Sequence, residues 1–411
     1  MTKPMVVWLI TTNRSDVLTY HNIMKKLEIR SKMKIDLKIV SWVRLYDSLV
    51  KAFREGNQPD LFALGTTWVA TFAHLGYLEP IPQNIGFPPA IAPWIEECTQ
   101  YKGVQYAVPY NMSPLVMCAQ QNILDQNHIT REDLKDFAGL YNACQRIDRN
   151  FKTHGDYDHM PFLFLLKADV NMMHSFFAFL FKKGWKFPDI NNTDSTIVTE
   201  GLYETFQYMN SLLCISGNIK KEMYLNYNNL YDKFYKTRQV TFYLDYSNRI
   251  VSDIMNERIK GIERDHSLAL LPLPSQSQEG KNYLGGSMLA VSAESKNKEQ
   301  AWDIIKYLTE DDTVEMNAML SGDIPALDIP FWKKHGDDPT LQMLYNEMKN
   351  SISYPVHPLW RGIEVVLAEG IYRSFLSINQ QTESEACEEI NGIISNTLKK
   401  IKEILDITWE I

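Results

Sequence analysis

The stretch Asp60-Leu-Phe-Ala-Leu-Gly-Thr-Thr-Trp-Val-Ala-Thr-Phe-Ala-His-Leu-Gly76 reads as a buried strand that ends in a small polar turn and opens directly into a helix. Leu61 to Leu64 form an apolar run suited to a central parallel strand, and Gly65 permits a tight turn. Thr66 or Thr67 is placed to cap the following helix, and Gly76 to stop it. In open α/β sheets such a junction faces the crevice beyond the carboxyl ends of the strands, where ligands bind, so the free N–H groups of the helix start, the two hydroxyls and the Trp68 indole become candidate contacts. The plain alternative is an ordinary strand-to-helix turn with a capping threonine.

Working outward, Val6–Ile10 reads as a strand and Asp16–Glu28 as a helix with apolar Val17, Tyr20, Ile23, Met24 and Leu27. Ile35–Val40 is a second strand and Val43–Phe53 a second helix, which completes a βαβαβα unit. The phrase Gly65–Gly76, followed by Leu78-Glu-Pro-Ile81, resembles a recurrent signature of family 1 of the extracellular solute-binding proteins, the sugar-binding subunits of ABC importers related to maltose-binding protein. Further segments resemble that family in its order. Tyr101–Asn111 is similar to the segment where the chain first crosses between lobes, and Phe162–Phe187, with Lys183-Gly-Trp185, to an aromatic-rich segment of the second lobe. Phe234–Tyr246 resembles a strand leading back toward the cleft, Leu268–Ser292 with Gly285-Gly-Ser287 the return segment, and Tyr354-Pro-Val-His-Pro-Leu-Trp-Arg361 the tail motif before the last helices. Each motif is weak alone; their order covers nearly the whole chain.

The resemblance implies an α/β fold of two doubly wound lobes joined by a hinge, the type II architecture of periplasmic binding proteins. Residues 1–109 with about 268–325 are expected in the first lobe, and about 110–267 with 326–411 in the second. It implies reversible, non-catalytic binding of a solute, a sugar or oligosaccharide, in an inter-lobe cleft that closes about the hinge. The expected partner is an ABC permease; the competing reading is a sensor module on a transmembrane signalling protein. A monomer in the periplasm, or anchored outside a bacterial membrane with its leader removed, is the corresponding setting.

Composition agrees with these expectations. A chain of 411 residues is too long for one core, and 45% apolar with 22% charged residues describes an ordinary globular protein. The net charge of −8, with 42 basic residues interspersed among 50 acidic ones, argues against nucleic acid as a partner. No run reaches the roughly 20 apolar residues of a membrane span. The five cysteines, at 98, 118, 144, 214 and 387, have no metal-type or disulfide-framework spacing, and no metal or organic cofactor is implied.

Sugars present C–H faces that stack on aromatic rings and hydroxyls that need paired donors and acceptors. By position after strands or at crossings, the candidate ligand contacts are Thr12, Asn13, Trp42, Thr66, Thr67, Trp68, Tyr110, Asn111, Trp185, Asp245, Tyr246, Gly286, Ser287, Trp360 and Arg361. Each has a bland rival: Trp42 covers a sheet end, Trp185 is lobe core, Trp360 and Arg361 are inter-lobe packing, and the asparagines are turn residues. Tyr246 stands where many members of the resembled family carry tryptophan. Enzyme patterns are missing, with no Gly-x-Ser-x-Gly, no His-Glu-x-x-His, no P-loop and no Gly-x-Gly-x-x-Gly. Adjacent acidic pairs such as Glu96-Glu97 read as solvated surface, and Cys118, the candidate nucleophile by analogy with a transferase of the same two-lobe fold, reads as a small filler in a buried strand.

Overall fold

The computed structural model describes residues 3–11, 14–188, 190, 201–217, 227–248, 251–252, 268–378 and 383–407. Thr12 and Asn13 lie outside them. The strands are β1 (Met5–Thr11), β2 (Ile35–Ser41), β3 (Leu61–Gly65), β4 (Gln100–Tyr101), β5 (Val104–Gln105), β6 (Ala107–Gln120), β7 (Met160–Leu163), β8 (Val240–Tyr246), β9 (Leu268–Leu271), β10 (Asn282–Val291), β11 (Ile324–Pro325) and β12 (Ser351–Ile352). The chain divides into two compact units: Met1–Pro114, Ser247–Glu263 and Leu284–Trp360 form the first, and Leu115–Tyr246, Arg264–Tyr283 and Arg361–Ile411 the second.

In the first unit, β1 pairs in parallel with β2 and β3, and β10 lies antiparallel between β3 and β6. Leu61, Phe62, Ala63 and Leu64 are all buried, as a strand covered on both faces requires. The helix after β1 runs Arg14–Ser31 and buries Tyr20, Ile23, Met24 and Leu27; the helix after β2 runs Trp42–Arg54 and buries Leu45, Leu49, Ala52 and Phe53, a stripe at three- and four-residue spacing. Later in the chain the helix Lys298–Leu308 fully buries Ala301, Ile304, Ile305 and Leu308.

In the second unit the later residues of β6 pair with β8 on one side and β9 on the other, both antiparallel, and β7 joins β8 in parallel. Helices Phe137–Thr153, Val170–Lys182, Leu202–Cys214, Trp360–Ile378 and Glu383–Leu405 supply its remaining apolar layers. The last of these buries Ala386, Ile390, Ile393 and Ile401, while Ile394, Leu398 and Leu405, which share the three- and four-residue spacing, keep partial exposure.

The units divide the chain differently from the expected lobes at four places, one of them Ser247–Glu263, which is expected in the second lobe and falls in the first unit. The first passage falls between Pro114 and Leu115, within β6, instead of at residue 110. β9, expected back in the first lobe, belongs to the second unit because it pairs with Met117–Gln120 of β6. Residues 326–360, expected in the second lobe, belong to the first unit. Among the contacts that hold them there are the Leu327 bridge to Ala90, the Trp94 indole N–H donating to Ser351 Oγ at 3.1 Å, and Thr71 Oγ1 donating to the Pro358 carbonyl at 2.7 Å.

At the β10–β6 pairing the backbones meet too closely for a side chain. A Cβ on Gly286 would stand 2.3 Å from the Asn111 carbonyl oxygen and 2.4 Å from the Met112 sulfur. Replacing Gly286 with alanine is expected to cost about 1–3 kcal/mol by overpacking. Denaturant unfolding should then show an earlier midpoint at unchanged slope, and an unaltered midpoint would show that the strands part without cost.

Candidate functional site

The quoted Asp60–Gly76 segment folds as strand β3, a single 3₁₀ turn at Thr66–Trp68, and a short helix Val69–His74, after which Gly76 takes a left-handed φ of 73°. Neither threonine stands at a cap position: Gly65 precedes the turn and Trp68 the helix. The tighter i to i+3 bonding of the turn takes up donors that a capping hydroxyl would have met. Thr66 is buried, and Thr67 keeps partial exposure.

Gly65 decides how the neighbouring tryptophans sit. A Cβ there would lie 3.1 Å from the Trp68 ring and 3.3 Å from that of Trp42, so both indoles rest on the bare end of β3. The Trp42 and Trp68 rings meet edge-on with centroids 5.6 Å apart, and Tyr46 adds a second edge contact to Trp68 at 5.3 Å. Trp42 arrives from the end of β2 as the first residue of its helix and keeps part of its surface exposed, whereas Trp68 is buried. Ser287 is registered opposite Gly65 on one side and Asn111 on the other. The register then slips, leaving Tyr110 as the extra residue on β6, and a bulge of this kind re-aims neighbouring side chains. Trp42, Thr66, Thr67, Trp68, Tyr110, Asn111, Gly286 and Ser287, eight of the candidate contacts, thus gather around the ends of β2 and β3 and the facing part of β6 and β10.

Within that group Asn111 is committed to the protein. Its amide nitrogen donates to Tyr20 Oη at 3.2 Å and to Asp323 at 3.4 Å, and its oxygen accepts from Asn317 at 3.3 Å. Asn248 also donates to Asp323, at 3.3 Å. Trp360 is fully buried and stacked on Tyr354 at 5.0 Å.

The second unit holds a different assembly. Asp245 is buried and accepts from the Tyr246 amide at 2.8 Å. The Tyr246 hydroxyl is hydrogen-bonded to His174 Nδ1, and the His174 ring stacks on Tyr283 at 4.5 Å. Asp169 caps the helix that carries His174, accepting from the amides of Asn171 and Met172 at 2.8 and 3.2 Å. Arg361 pairs with the buried Glu364 at 3.2 Å. Burial, reinforced by the charges of Asp245, Asp169 and Glu364, raises the Tyr246 phenol well above its ordinary range. Burial likewise raises the Asp169 carboxyl, against the pull of its two amide donors. Trp185 lies elsewhere, half-buried among Phe177, Phe181 and Phe187, nearest Phe187 at 4.8 Å. Sequence reasoning missed Asp169, His174, Tyr283 and Glu364; the aspartate-capped helix start was legible, but their convergence on Tyr246 is made only by the tertiary fold.

Among the described residues no three His, Cys, Asp or Glu side chains are grouped to hold a metal ion. Cys118 is fully buried in β6, in register with Tyr243 and Leu270, and the buried Cys98 and Cys144 thiols are pushed up by desolvation, Cys98 to about 12.

The family model described as bacterial extracellular solute-binding protein matches residues 23–328. The chain belongs to that family. Two relatives of this solute-binding protein are a maltotriose-binding protein of Pyrococcus abyssi, 22% identical over 79% of this chain and 68% of the other, and a diacetylchitobiose-binding protein of Streptomyces coelicolor, 23% identical over 74% and 69%. Among solved structures, an ABC-transporter solute-binding protein from Thermotoga lettingae bound with α-D-tagatose superposes with a TM-score of 0.78 at 18% identity, covering 98% of this chain and 100% of that one. At that identity the likeness shows the fold, the two-lobed α/β architecture of the solute-binding proteins.

The solute-binding protein also carries a histidine whose burial links stability to pH. His159 is stacked on Phe151 at 3.6 Å, its Nε2 is 2.8 Å from Thr241 Oγ1, and burial lowers its pKa to about 4. The unfolded chain, with a histidine near 6.5, takes up a proton that the folded chain refuses, so stability is level above about pH 6.5 and falls as pH drops from there toward 4. At pH 5 the loss is about 2 kcal/mol, from about 1.4 kcal/mol per pH unit. Unfolding midpoints between pH 7 and 4 should fall less steeply in His159→Gln than in the parent; parallel curves would remove His159 from the account.

Proposed function

We propose that this protein binds a sugar or short oligosaccharide reversibly, without chemical conversion, and delivers it to an ABC import permease. The observation that carries the reading is the edge-packed Trp42–Tyr46–Trp68 group over Gly65, with Thr67 and Ser287 beside it. Aromatic faces flanked by short polar groups suit the C–H faces and hydroxyls of a carbohydrate. Tyr246 and Asp245 are the corresponding candidates in the second unit, with Arg361 held at its edge by Glu364. Of the remaining sequence candidates, Thr12 and Asn13 directly succeed β1 and stay proposed contacts on position alone, while Asn111, Trp185 and Trp360 are assigned to packing and internal bonding.

Family membership supports binding of a solute outside the cytoplasm, in the periplasm or at the cell exterior. The names of the relatives, for maltotriose and diacetylchitobiose, favour a saccharide and agree with an aromatic-rich group better than with an anion site. No helix among the described residues is long and apolar enough to cross a membrane.

Thermal unfolding in large excess of maltotriose, diacetylchitobiose, tagatose or mannitol tests the reading. At about a hundred times its dissociation constant, a bound sugar adds roughly 2.7 kcal/mol of stability. At least one of these sugars should raise the midpoint, and flat curves across the panel overturn the assignment. Trp42→Ala, which trims a partly exposed ring, is expected to weaken that sugar about tenfold to a hundredfold by calorimetric titration. Mass spectrometry of the recovered sugar should show it unchanged; a hydrolysed or transferred product would make the protein an enzyme.

A further inference from the structure

The helix Val170–Lys182 places His174 in its second turn, between two tyrosines brought from distant parts of the chain. Tyr246, at the end of β8, is bonded through its hydroxyl to His174 Nδ1, with the rings edge-on at 6.2 Å. Tyr283, in β10, stacks on the other side of the imidazole with an interplanar angle of 22°. The imidazole is therefore fixed in both position and tilt. Burial holds it neutral, its pKa lowered to about 3.

A phenol is a stronger donor than a neutral imidazole N–H, and an unprotonated imidazole nitrogen is the better acceptor, which assigns His174 the tautomer protonated at Nε2, with Tyr246 donating to Nδ1. The phenolic oxygen then keeps only lone pairs for an approaching molecule. Asp245, beside it in sequence, is likewise an acceptor when ionised, as are Asp169 and Glu364, whose charges also reach Tyr246.

We propose that His174 is a positioning residue of the solute site, which takes the Tyr246 proton and fixes Tyr246 as an acceptor, so that the solute meets it with a hydroxyl or other donor and phosphorylated sugars are refused. The inference rests on the sugar-binding reading and adds to it which groups select and what they reject. Charge acts in the same sense, since a phosphate is repelled by Asp245 and Asp169 while Arg361 is engaged by Glu364.

The test uses the full chain and whichever of the four sugars gives the largest thermal shift, with glucose 6-phosphate as the anionic probe. Calorimetric titration should show His174→Phe and Tyr246→Phe each weakening the sugar about tenfold, with the double variant no weaker than either single one, because both break one hydrogen bond. His174→Gln, whose side-chain oxygen can accept the phenolic proton, should recover most of the affinity, and glucose 6-phosphate should give no heat with the parent. A His174→Phe protein that binds the sugar as tightly as the parent and differs only in unfolding midpoint makes His174 merely structural and overturns the proposal. If His174→Phe does not fold, Tyr246→Phe, which removes one oxygen, decides alone: unaltered affinity overturns the proposal. Tight binding of glucose 6-phosphate by the parent overturns it as well. A parent that binds none of the sugars fails the sugar reading itself and takes this inference with it, an outcome distinct from sugar binding indifferent to His174.

Discussion

The backbone of β6 is the constraint on which most of the architecture depends. Thirteen of its fourteen residues are buried, so its N–H and C=O groups must find partners within the protein. From Ala107 to Pro114 those partners are β10 and β11 of the first unit, and from Leu115 onward they are β8 and β9 of the second. Two prolines, at 109 and 114, lack a donor, and the β10 register slips next to the first of them. The slip puts Ser287 against Gly65 and Asn111 at once, so the placement of these polar groups is a by-product of satisfying a buried strand.

The two units meet the cost of burying polar groups differently. Around Asn111 the first unit surrounds the Asp323 carboxylate with neutral donors from Tyr20, Asn111 and Asn248, a network whose members bond each other. Around Tyr246 the second unit gathers Asp245, Asp169 and Glu364, with the Tyr246 amide donating to Asp245, two helix amides to Asp169 and Arg361 to Glu364. A mutually bonded network of this kind rigidifies its surroundings.

Much of the first unit was legible from local pattern. The apolar run Leu61–Leu64 is what a strand buried on both faces looks like, and Leu45, Leu49, Ala52 and Phe53 announce a helix by their spacing. The same local logic failed at Thr66 and Thr67, where threonine before a helix suggests a cap and a 3₁₀ turn takes its place. It could not separate tryptophans either: Trp42, Trp185 and Trp360 all come after plausible turns, yet one is partly open at a strand end, one is wedged among phenylalanines and one is sealed against Tyr354. That difference is decided by segments tens to hundreds of residues away. For the same reason His174 was invisible; nothing near it in the sequence announces a tyrosine 72 positions on. The family signature reached the crossing segments, but the assignment of β9 and of residues 326–360 depended on pairings such as Leu327 with Ala90 that no motif encodes.

The bare end of β3 has a consequence for how this protein can change over generations. With both indoles seated on Gly65, a methyl group there would stand 3.1 Å from the Trp68 ring and 3.3 Å from that of Trp42, so a side chain at 65 requires the indoles to give by a few tenths of an ångström, and a smaller residue at 42 or 68 relieves that crowding. Positions 42, 65 and 68 are therefore coupled, and bulk added at one is best tolerated where another has lost it.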